Sequence, residues 1–451
     1  MRKREVVSTG ISELDEILGG GFEKGSVVLV AGHPGAGKTT FAAQFLYQGL
    51  KSGEAGLYMS FAERKYEFFS HMEGLGMNFK KYEKQGLFVF IPALTTASEE
   101  SLRSVMGVMT DSLAEKDIRR LVIDPVTAPL QILPPNKARA FLHSSLMRPL
   151  KSLGITTLLV AELPYGVNTI GYGFEEFLAD AVIVLGVEEA RGLPRRTLEL
   201  RKLRGRATPR LNFEFVIGDE GIALYVPYLA GLKGGYSFER ISTGVEKLDE
   251  MLGGGILRGS TILMSGPSGT GKTLLAVRFA LKGIENGERV VFLSFEEPED
   301  QLKTLFRSMK GDLKEMPENL SILSISPRLF TPGSLYYFFR EVIEKREPNR
   351  IVIDGLTSLK KQFGSEFLDL AKMLSLLAKS KGITSLFTSL EDLTKGEEAG
   401  ISMLADVLIA LWYERVGDEF KRMIAVLKTR GSPHDRRWYE LDFVDGEVVI
   451  K

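Results

Sequence analysis

Two glycine-rich stretches carry the most specific chemistry in this chain. Residues 32–40 read GHPGAGKTT and residues 266–274 read GPSGTGKTL. Each sets four residues between a glycine and a Gly-Lys-Thr step, the spacing of a loop that wraps a polyphosphate. Gly32, Gly35 and Gly37 in the first, and Gly266, Gly269 and Gly271 in the second, let backbone N–H groups turn inward around phosphate oxygens. Pro34, Ala36, Ser268 and Thr270 complete the loops, and Thr40 and Leu274 start the helices behind them. Lys38 and Lys272 are expected to reach the β- and γ-phosphates, and the Thr39 and Thr273 hydroxyls to ligate magnesium. The expected ligands are ATP or ADP with Mg2+. The bland alternative is a glycine-rich turn that holds nothing. It fits poorly, because both loops follow an apolar strand and open a helix, where the dipole also favours anions.

A metal-side acid should close a distant apolar strand. RRLVIDPVT offers Asp124 and NRIVIDGLT offers Asp354. Such a run places the carboxylate at the C-terminal edge of a sheet, beside the phosphate loop. A further strand end, VVFLSFEEPEDQL, presents Glu296 and Glu297, either of which can orient or deprotonate an attacking water. Glu296 also suits the metal side. The matching segment GLYMSFAERKYEF has Ala62 and Glu63, so one acid is missing. If Glu296 is the base, the first half binds nucleotide but hydrolyses slowly, since losing a general base typically costs about 10²–10⁴-fold.

The elements that must position these groups occur twice. Ser8-Thr9-Gly10 precedes ISELDEILGG, and Ser242-Thr243-Gly244 precedes VEKLDEMLGG, at the same offset that separates Gly32 from Gly266. This is a whole-domain duplication rather than a solenoid. The boundary is expected at residues 230–237, where GLKGG (231–235) is a flexible junction, giving domains 1–234 and 235–451. In the first half, strands are expected at Val27–Ala31, Leu57–Phe61, Leu121–Asp124, Thr156–Ala161 and Ala181–Val187, with helices at Lys38–Leu50 and Ser98–Ala114. The alternation predicts an α/β fold with a mostly parallel sheet covered on both faces. Thr197–Leu203, Asn212–Ile217, Met423–Lys428 and Trp438–Phe443 alternate as antiparallel strands do, so each half should end in an antiparallel extension.

Bulk composition narrows the class. Lys+Arg and Asp+Glu balance at 58 each, which gives no general attraction to nucleic acid or an anionic membrane. Cysteine is absent, which removes disulfides, thiolate metal sites and cysteine nucleophiles. A cysteine-free, charge-rich chain suits a cytosol, including a hot one. The start MRKREVVSTGISELDE meets acids before any apolar stretch, and no apolar run approaches the ~18 residues that span a bilayer. A cytoplasmic protein without a membrane partner is expected. His33, His71, His143 and His434 are scattered and form no expected metal cluster. Trp412 and Trp438 are expected in the core, and Tyr336–Phe339 on a helix face against the sheet.

Taken together, the STG…LD…GG lead-in, SFEE and a late Lys-X-Arg-Gly motif resemble the KaiC family within the RecA-like ATPases. That late motif is KLRG at Lys202–Gly205 and KTRGSPH at Lys428–His434, and the resemblance covers nearly the whole chain. It implies two tandem RecA-like domains in a homohexamer of two stacked rings, with nucleotide between neighbouring subunits. It further implies that Lys202 and Arg204, and Lys428 and Arg430, reach the γ-phosphate held by the adjacent subunit. Ser432, His434 and Arg422 match positions near base and ribose. The first half has Arg206 and Thr208 in place of Ser432 and His434. The clock member of the family phosphorylates an adjacent Ser-Thr pair. Here GISMLAD keeps Ser402 but has Met403 for the threonine, which leaves at most a weak single-site Ser/Thr autokinase, an ordinary loop serine being the competing reading.

Three functions compete. The first is an ATPase switch acting on an unidentified regulatory protein. The second is a nucleic-acid-dependent ATPase of recombination or repair, which would bind single strands through pore loops. That class usually adds a zinc module or a helix-hairpin-helix, neither of which is present, although Arg191–Arg210 is basic. The third is a nucleotide-binding scaffold that does not hydrolyse.

Overall fold

The computed structural model describes residues 5–94, 96–205, 211–227, 237–310, 316–391, 399–444 and 446–451. Arg206, Thr208 and the junction 231–235 lie outside the described residues. The chain divides into two compact units, Met1–Leu229 and Ala230–Lys451.

In the first unit the strands of the main sheet are β1 (Val27–Gly32), β2 (Ala55–Ser60), β3 (Phe88–Pro92), β4 (Ile118–Asp124), β5 (Thr156–Glu162), β6 (Ala181–Ala190), β7 (Leu193–Leu203), β8 (Leu211–Gly218) and β9 (Gly221–Tyr225). They form one sheet in the order β9-β8-β7-β6-β1-β5-β4-β2-β3. The pairs from β6 to β3 are parallel, and β7, β8 and β9 join antiparallel. Strand β1 is apolar throughout because both its faces are covered: Val28 and Val30 pack into one core cluster, Val27, Leu29 and Ala31 into the other. Burying each such side chain contributes about 1.5–3 kcal/mol. Helix α1 (Lys38–Lys51) covers the first face, burying Phe41, Phe45 and Leu46. Helix α2 (Glu99–Glu115) covers the second with Leu102 and Met109, and Ser98 caps its start by accepting the Ser101 N–H at 3.1 Å. A one-turn helix α3 (Glu175–Leu178) precedes β6.

The second unit repeats the plan. Its strands are β10 (Thr261–Ser265), β11 (Val290–Ser294), β12 (Leu320–Ser324), β13 (Arg350–Asp354), β14 (Thr384–Ser389), β15 (Val407–Val416), β16 (Glu419–Thr429), β17 (Trp438–Val444) and β18 (Glu447–Ile450), ordered β12-β11-β13-β14-β10-β15-β16-β17-β18. Helices α4 (Lys272–Glu285), α5 (Pro332–Arg346) and α6 (Ala399–Ser402) occupy the places of α1, α2 and α3. Tyr337 and Phe339 of α5 are buried and Tyr336 and Phe338 half-buried against the core, as the helix-face reading expects. These are two RecA-like P-loop domains in tandem, each with an antiparallel extension.

Trp438 corrects an expectation, since 62% of it is exposed rather than buried. On β17 the core-facing set is Tyr439, Leu441 and Phe443. Trp438 shares the other face with Glu440 and Asp442, and a strand turns alternate residues to opposite sides.

The STG…LD lead-in has a structural reason. Asp15 accepts the Ser8 hydroxyl at 2.5 Å and the Thr9 N–H at 2.7 Å, and Asp249 does the same for Ser242 and Thr243. Each lead-in is then fastened to its P-loop helix by a buried arginine. Arg120 donates to Ser8 O (2.8 Å) and Phe45 O (2.7 Å) and pairs with Glu54. Arg350 donates to Ser242 O (2.9 Å) and Phe279 O (3.1 Å), pairs with Glu288 and lies over the Phe279 ring.

Candidate functional site

Both glycine-rich loops sit between a central strand and a helix N-terminus, at the C-terminal edge of the parallel strands. Gly35, Gly37, Gly269 and Gly271 have φ of 72°, 93°, 80° and 100°, the left-handed region where glycine is at home. A Cβ on Gly271 would lie 2.4 Å from the Phe443 ring, and one on Gly37 2.8 Å from Ile217. The antiparallel extension of each unit therefore packs directly on its own loop.

The second site opens into a cavity of about 680 Å³ lined by Lys272, Thr273, Glu296, Glu297, Asp354 and Leu390, among others. Lys272 Nζ donates to Gly266 O and Pro267 O, both at 2.7 Å. Burial lowers its pKa, and the charges of Asp354 and Glu296 oppose that shift. Asp354 accepts the Thr388 hydroxyl at 2.6 Å and the Thr273 hydroxyl at 3.4 Å. Burial holds its carboxyl above the usual carboxylate range, against the Thr388 hydrogen bond. Ser294 Oγ accepts the N–H groups of Glu296 (3.2 Å) and Glu297 (2.9 Å), which turns both acids off the strand end. Glu296 Oε1 accepts the Ser358 hydroxyl at 3.1 Å. Burial raises the Glu297 pKa, and the charges of Asp354 and Glu296 add to it.

The first site has the same frame with different fittings. Lys38 Nζ donates to Gly32 O and His33 O, both at 2.9 Å. Asp124 accepts the Thr39 hydroxyl at 2.8 Å and the Tyr58 hydroxyl at 2.5 Å. Burial raises the Asp124 pKa and also lifts the Tyr58 phenol well above its ordinary value. The Glu63 N–H is held by Ser60 Oγ at 2.9 Å, burial raises its carboxyl, and His71 stands 3.7 Å away. Sequence reasoning did not identify Tyr58 or Thr388. The signal lay in comparing the halves: Tyr58 stands opposite Phe292, and Thr388 opposite Val160, so each unit supplies one hydroxyl to its aspartate from a different strand.

The donor set fits a magnesium nucleotide. A threonine hydroxyl beside one carboxylate is a hard oxygen pair, and Mg2+ ordinarily takes one or two carboxylates plus phosphate oxygens and waters. Among the described residues no group of three or more His, Cys, Asp or Glu could hold a metal alone. Lys38 and Lys272 rest on loop carbonyls within their own P-loops, where a phosphate would compete for them.

The late cations lie elsewhere in each unit. Lys428 pairs in register with Leu408, which pairs with Leu263 of the central strand. Its ammonium donates to Ser402 O (3.0 Å) and Ala405 O (2.7 Å), at the C-terminal end of α6 and just beyond it, where carbonyls attract a cation. Arg430 N–H donates to Asp406 O at 2.8 Å, and Asp406 Oδ2 accepts the N–H of Thr261, the first residue of β10. Lys202 and Arg204 repeat this on Glu176 O, Phe177 O and Asp180. These groups thus stand at the N-terminal edge of the central strand, roughly 15 Å along it from their own P-loop at about 3.3 Å per residue. Ser432 and His434 share that edge: Arg240 donates to Ser432 Oγ, and His434 Nδ1 lies 3.0 Å from Thr429 Oγ1. Arg422 is separate from them, with its Nε donating to Gly269 O at 3.2 Å beside its own loop.

Known proteins are similar in sequence along both units. The family model described as "ATPase: KaiC" matches residues 7–228 and again 241–451. The Circadian clock protein KaiC3 of Synechocystis sp. is 32% identical, covering 96% of this chain and 89% of its own length. Circadian clock oscillator proteins KaiC of Picosynechococcus sp. and Synechococcus elongatus are each 32% identical, over 99% and 98% of this chain and 89% and 88% of their own lengths. With both units matched and the P-loops, strand-end acids and late cations in place, the chain belongs to the KaiC family of ATPases and carries its ATPase domain twice.

Proposed function

We propose that this chain hydrolyses ATP to ADP and phosphate at the interfaces of a ring of like chains, a homohexamer, and that the resulting change in the ring controls a partner protein. The observation that carries this reading is the separation between each P-loop and the cations of its own unit. A Lys-X-Arg pair at the far edge of the sheet does not reach the phosphates bound by its own unit, which supports a role for it at a site on a neighbouring chain.

In this reading Lys272 holds the β- and γ-phosphates, and Thr273 and Asp354 hold Mg2+, which supplies charge neutralisation on the phosphates when bound. Glu296 orients the attacking water and takes its proton, and Glu297 supports it. Lys428 and Arg430 of the neighbour offset the charge that develops on the transferred group, an effect worth about 10³–10⁵ in rate for arginine fingers. Arg422, beside its own loop, and Ser432 and His434 of the neighbour position the rest of the nucleotide. Lys38, Thr39, Asp124, Glu63, Lys202 and Arg204 form the matching first site, which turns over more slowly because Ala62 replaces the acid.

A mixing experiment tests the arrangement, with turnover by the first site removed by Lys38→Ala throughout. Glu296→Gln and Arg430→Ala chains are each expected to lose at least about 10²-fold in turnover. Mixed together and reassembled, they should regain activity, because some interfaces then join an intact P-loop and glutamate to an intact arginine. Mixtures no more active than their components would show that each chain completes its own site.

A further inference from the structure

The first unit lacks an acid at Ala62, but the end of β5, next to the P-loop strand, reverses the difference. Thr156 and Thr384 are equivalent, since each hydroxyl accepts the N–H of the glycine before the P-loop strand, Gly25 at 3.0 Å and Gly259 at 2.9 Å. Counting forward from them, Glu162 falls where the second unit has Leu390. Leu390 lines the second cavity beside Lys272, Glu296 and Asp354. Glu162 ends β5 and pairs in register with Gly32, the first loop glycine.

The backbone that follows Glu162 is stitched to the loop. Leu163 N–H donates to Gly32 O at 3.0 Å, and that same carbonyl receives the Lys38 ammonium at 2.9 Å. Leu163 O lies 3.0 Å from His33 Nδ1, Tyr165 stacks on the His33 ring at 4.6 Å, and its hydroxyl reaches Pro34 O at 3.4 Å. The charge pattern agrees. Asp124 and Glu162 together favour the charged form of Lys38, as Asp354 and Glu296 do for Lys272. Glu162 and Glu296 are both exposed, whereas Glu63 and Glu297 are half-buried. Each site thus gathers one ammonium, one buried aspartate and one exposed glutamate, and the glutamate comes from a different strand in each.

We propose that Glu162 is the catalytic carboxylate of the first site, supplying from β5 the function that Glu296 supplies from the end of β11. The proposal rests on the ATP-binding reading of the P-loops. Glu162 accepts a proton from water as the water oxygen bonds to the γ-phosphorus. The bond from that phosphorus to the β,γ-bridging oxygen breaks, ADP leaves with the electron pair, and the proton passes from the carboxylate to solvent. The residual turnover of the first unit therefore depends on Glu162 rather than on Glu63.

The test uses the full chain carrying Lys272→Ala, so that only the first site binds. Adding Glu162→Gln should lower turnover by about 10²-fold or more. Binding of a non-hydrolysable ATP analogue should be unchanged or tighter, because a negative charge near the triphosphate is removed. Turnover unchanged by Glu162→Gln, or none at all in the Lys272→Ala chain that still binds the analogue, overturns the proposal. A transplant covers the case in which Glu162→Gln loses analogue binding by misfolding. In a Lys38→Ala, Glu296→Ala chain, Leu390→Glu should restore part of the second site's turnover, and no recovery counts against the role. Analogue binding that survives Lys38→Ala with Lys272→Ala sinks the nucleotide reading itself instead.

Discussion

Asp354 illustrates the tension at the residue scale between a site and its fold. The residue is 3% exposed, and burial raises its pKa. The sign follows directly: the folded state prefers the protonated acid, so folding carries no penalty below the unfolded pKa. The penalty develops as pH rises from the ordinary carboxylate value through the raised folded one, and is complete above it. Asp354→Asn should therefore raise the thermal midpoint of the nucleotide-free chain at neutral pH, with the gain vanishing in acid, while abolishing hydrolysis by the second site. A variant less stable than the parent at neutral pH would mean that the Thr388 and Thr273 hydrogen bonds outweigh burial. The aspartate itself was legible, because an apolar run closing on one Asp recurs beside each P-loop. Its hydroxyl partners were not, because Tyr58 and Thr388 sit in different strands and only the folded sheet brings each to the acid. Trp438 was misread for a related reason: its face of β17 is set by the parity of Leu441, not by its own hydrophobicity.

At the scale of elements, the two buried arginines that tie each lead-in to its P-loop helix differ in one respect. Glu288, the partner of Arg350, keeps 10% of its side chain exposed, while Glu54, the partner of Arg120, keeps 35%. Removing Arg350 leaves Glu288 with little water to turn to and only Arg258, 3.1 Å away, as an ionic partner, and breaking a buried pair costs up to about 3–5 kcal/mol. Both tryptophans of the chain, Trp412 and Trp438, belong to the second unit, so their fluorescence reports that unit alone. Arg350→Ala should shift the tryptophan transition to clearly lower urea. Arg120→Ala should leave it in place and cause a smaller shift in far-UV circular dichroism, since Glu54 can rehydrate. Equal losses would indicate that the carbonyl contacts, common to both arginines, dominate. Strands and helices were readable from period and caps to within a few residues: the helix expected over Ser98–Ala114 is Glu99–Glu115, with Ser98 as its cap. The purpose of the STG…LD segment was not, since its serine, threonine and aspartate bond to one another and the buried arginine that anchors it arrives from a distant strand.

At the scale of the whole molecule, duplication is the organising fact. Two units with one plan differ at many positions, and among them Ala62 against Glu296, Tyr58 against Phe292, Val160 against Thr388 and Glu162 against Leu390 lie around the same phosphate loop. Differences among the acids and hydroxyls, beside loops that both keep their three glycines, lysine and threonine, suit a chain whose two sites both hold nucleotide but use it at different rates. The most direct measurement counts bound nucleotide per chain at equilibrium with a non-hydrolysable ATP analogue and Mg2+. Two per chain are expected, with Lys38→Ala and Lys272→Ala each removing one and the double variant binding none. A parent chain that binds no analogue, or a double variant that still binds two, would contradict the account.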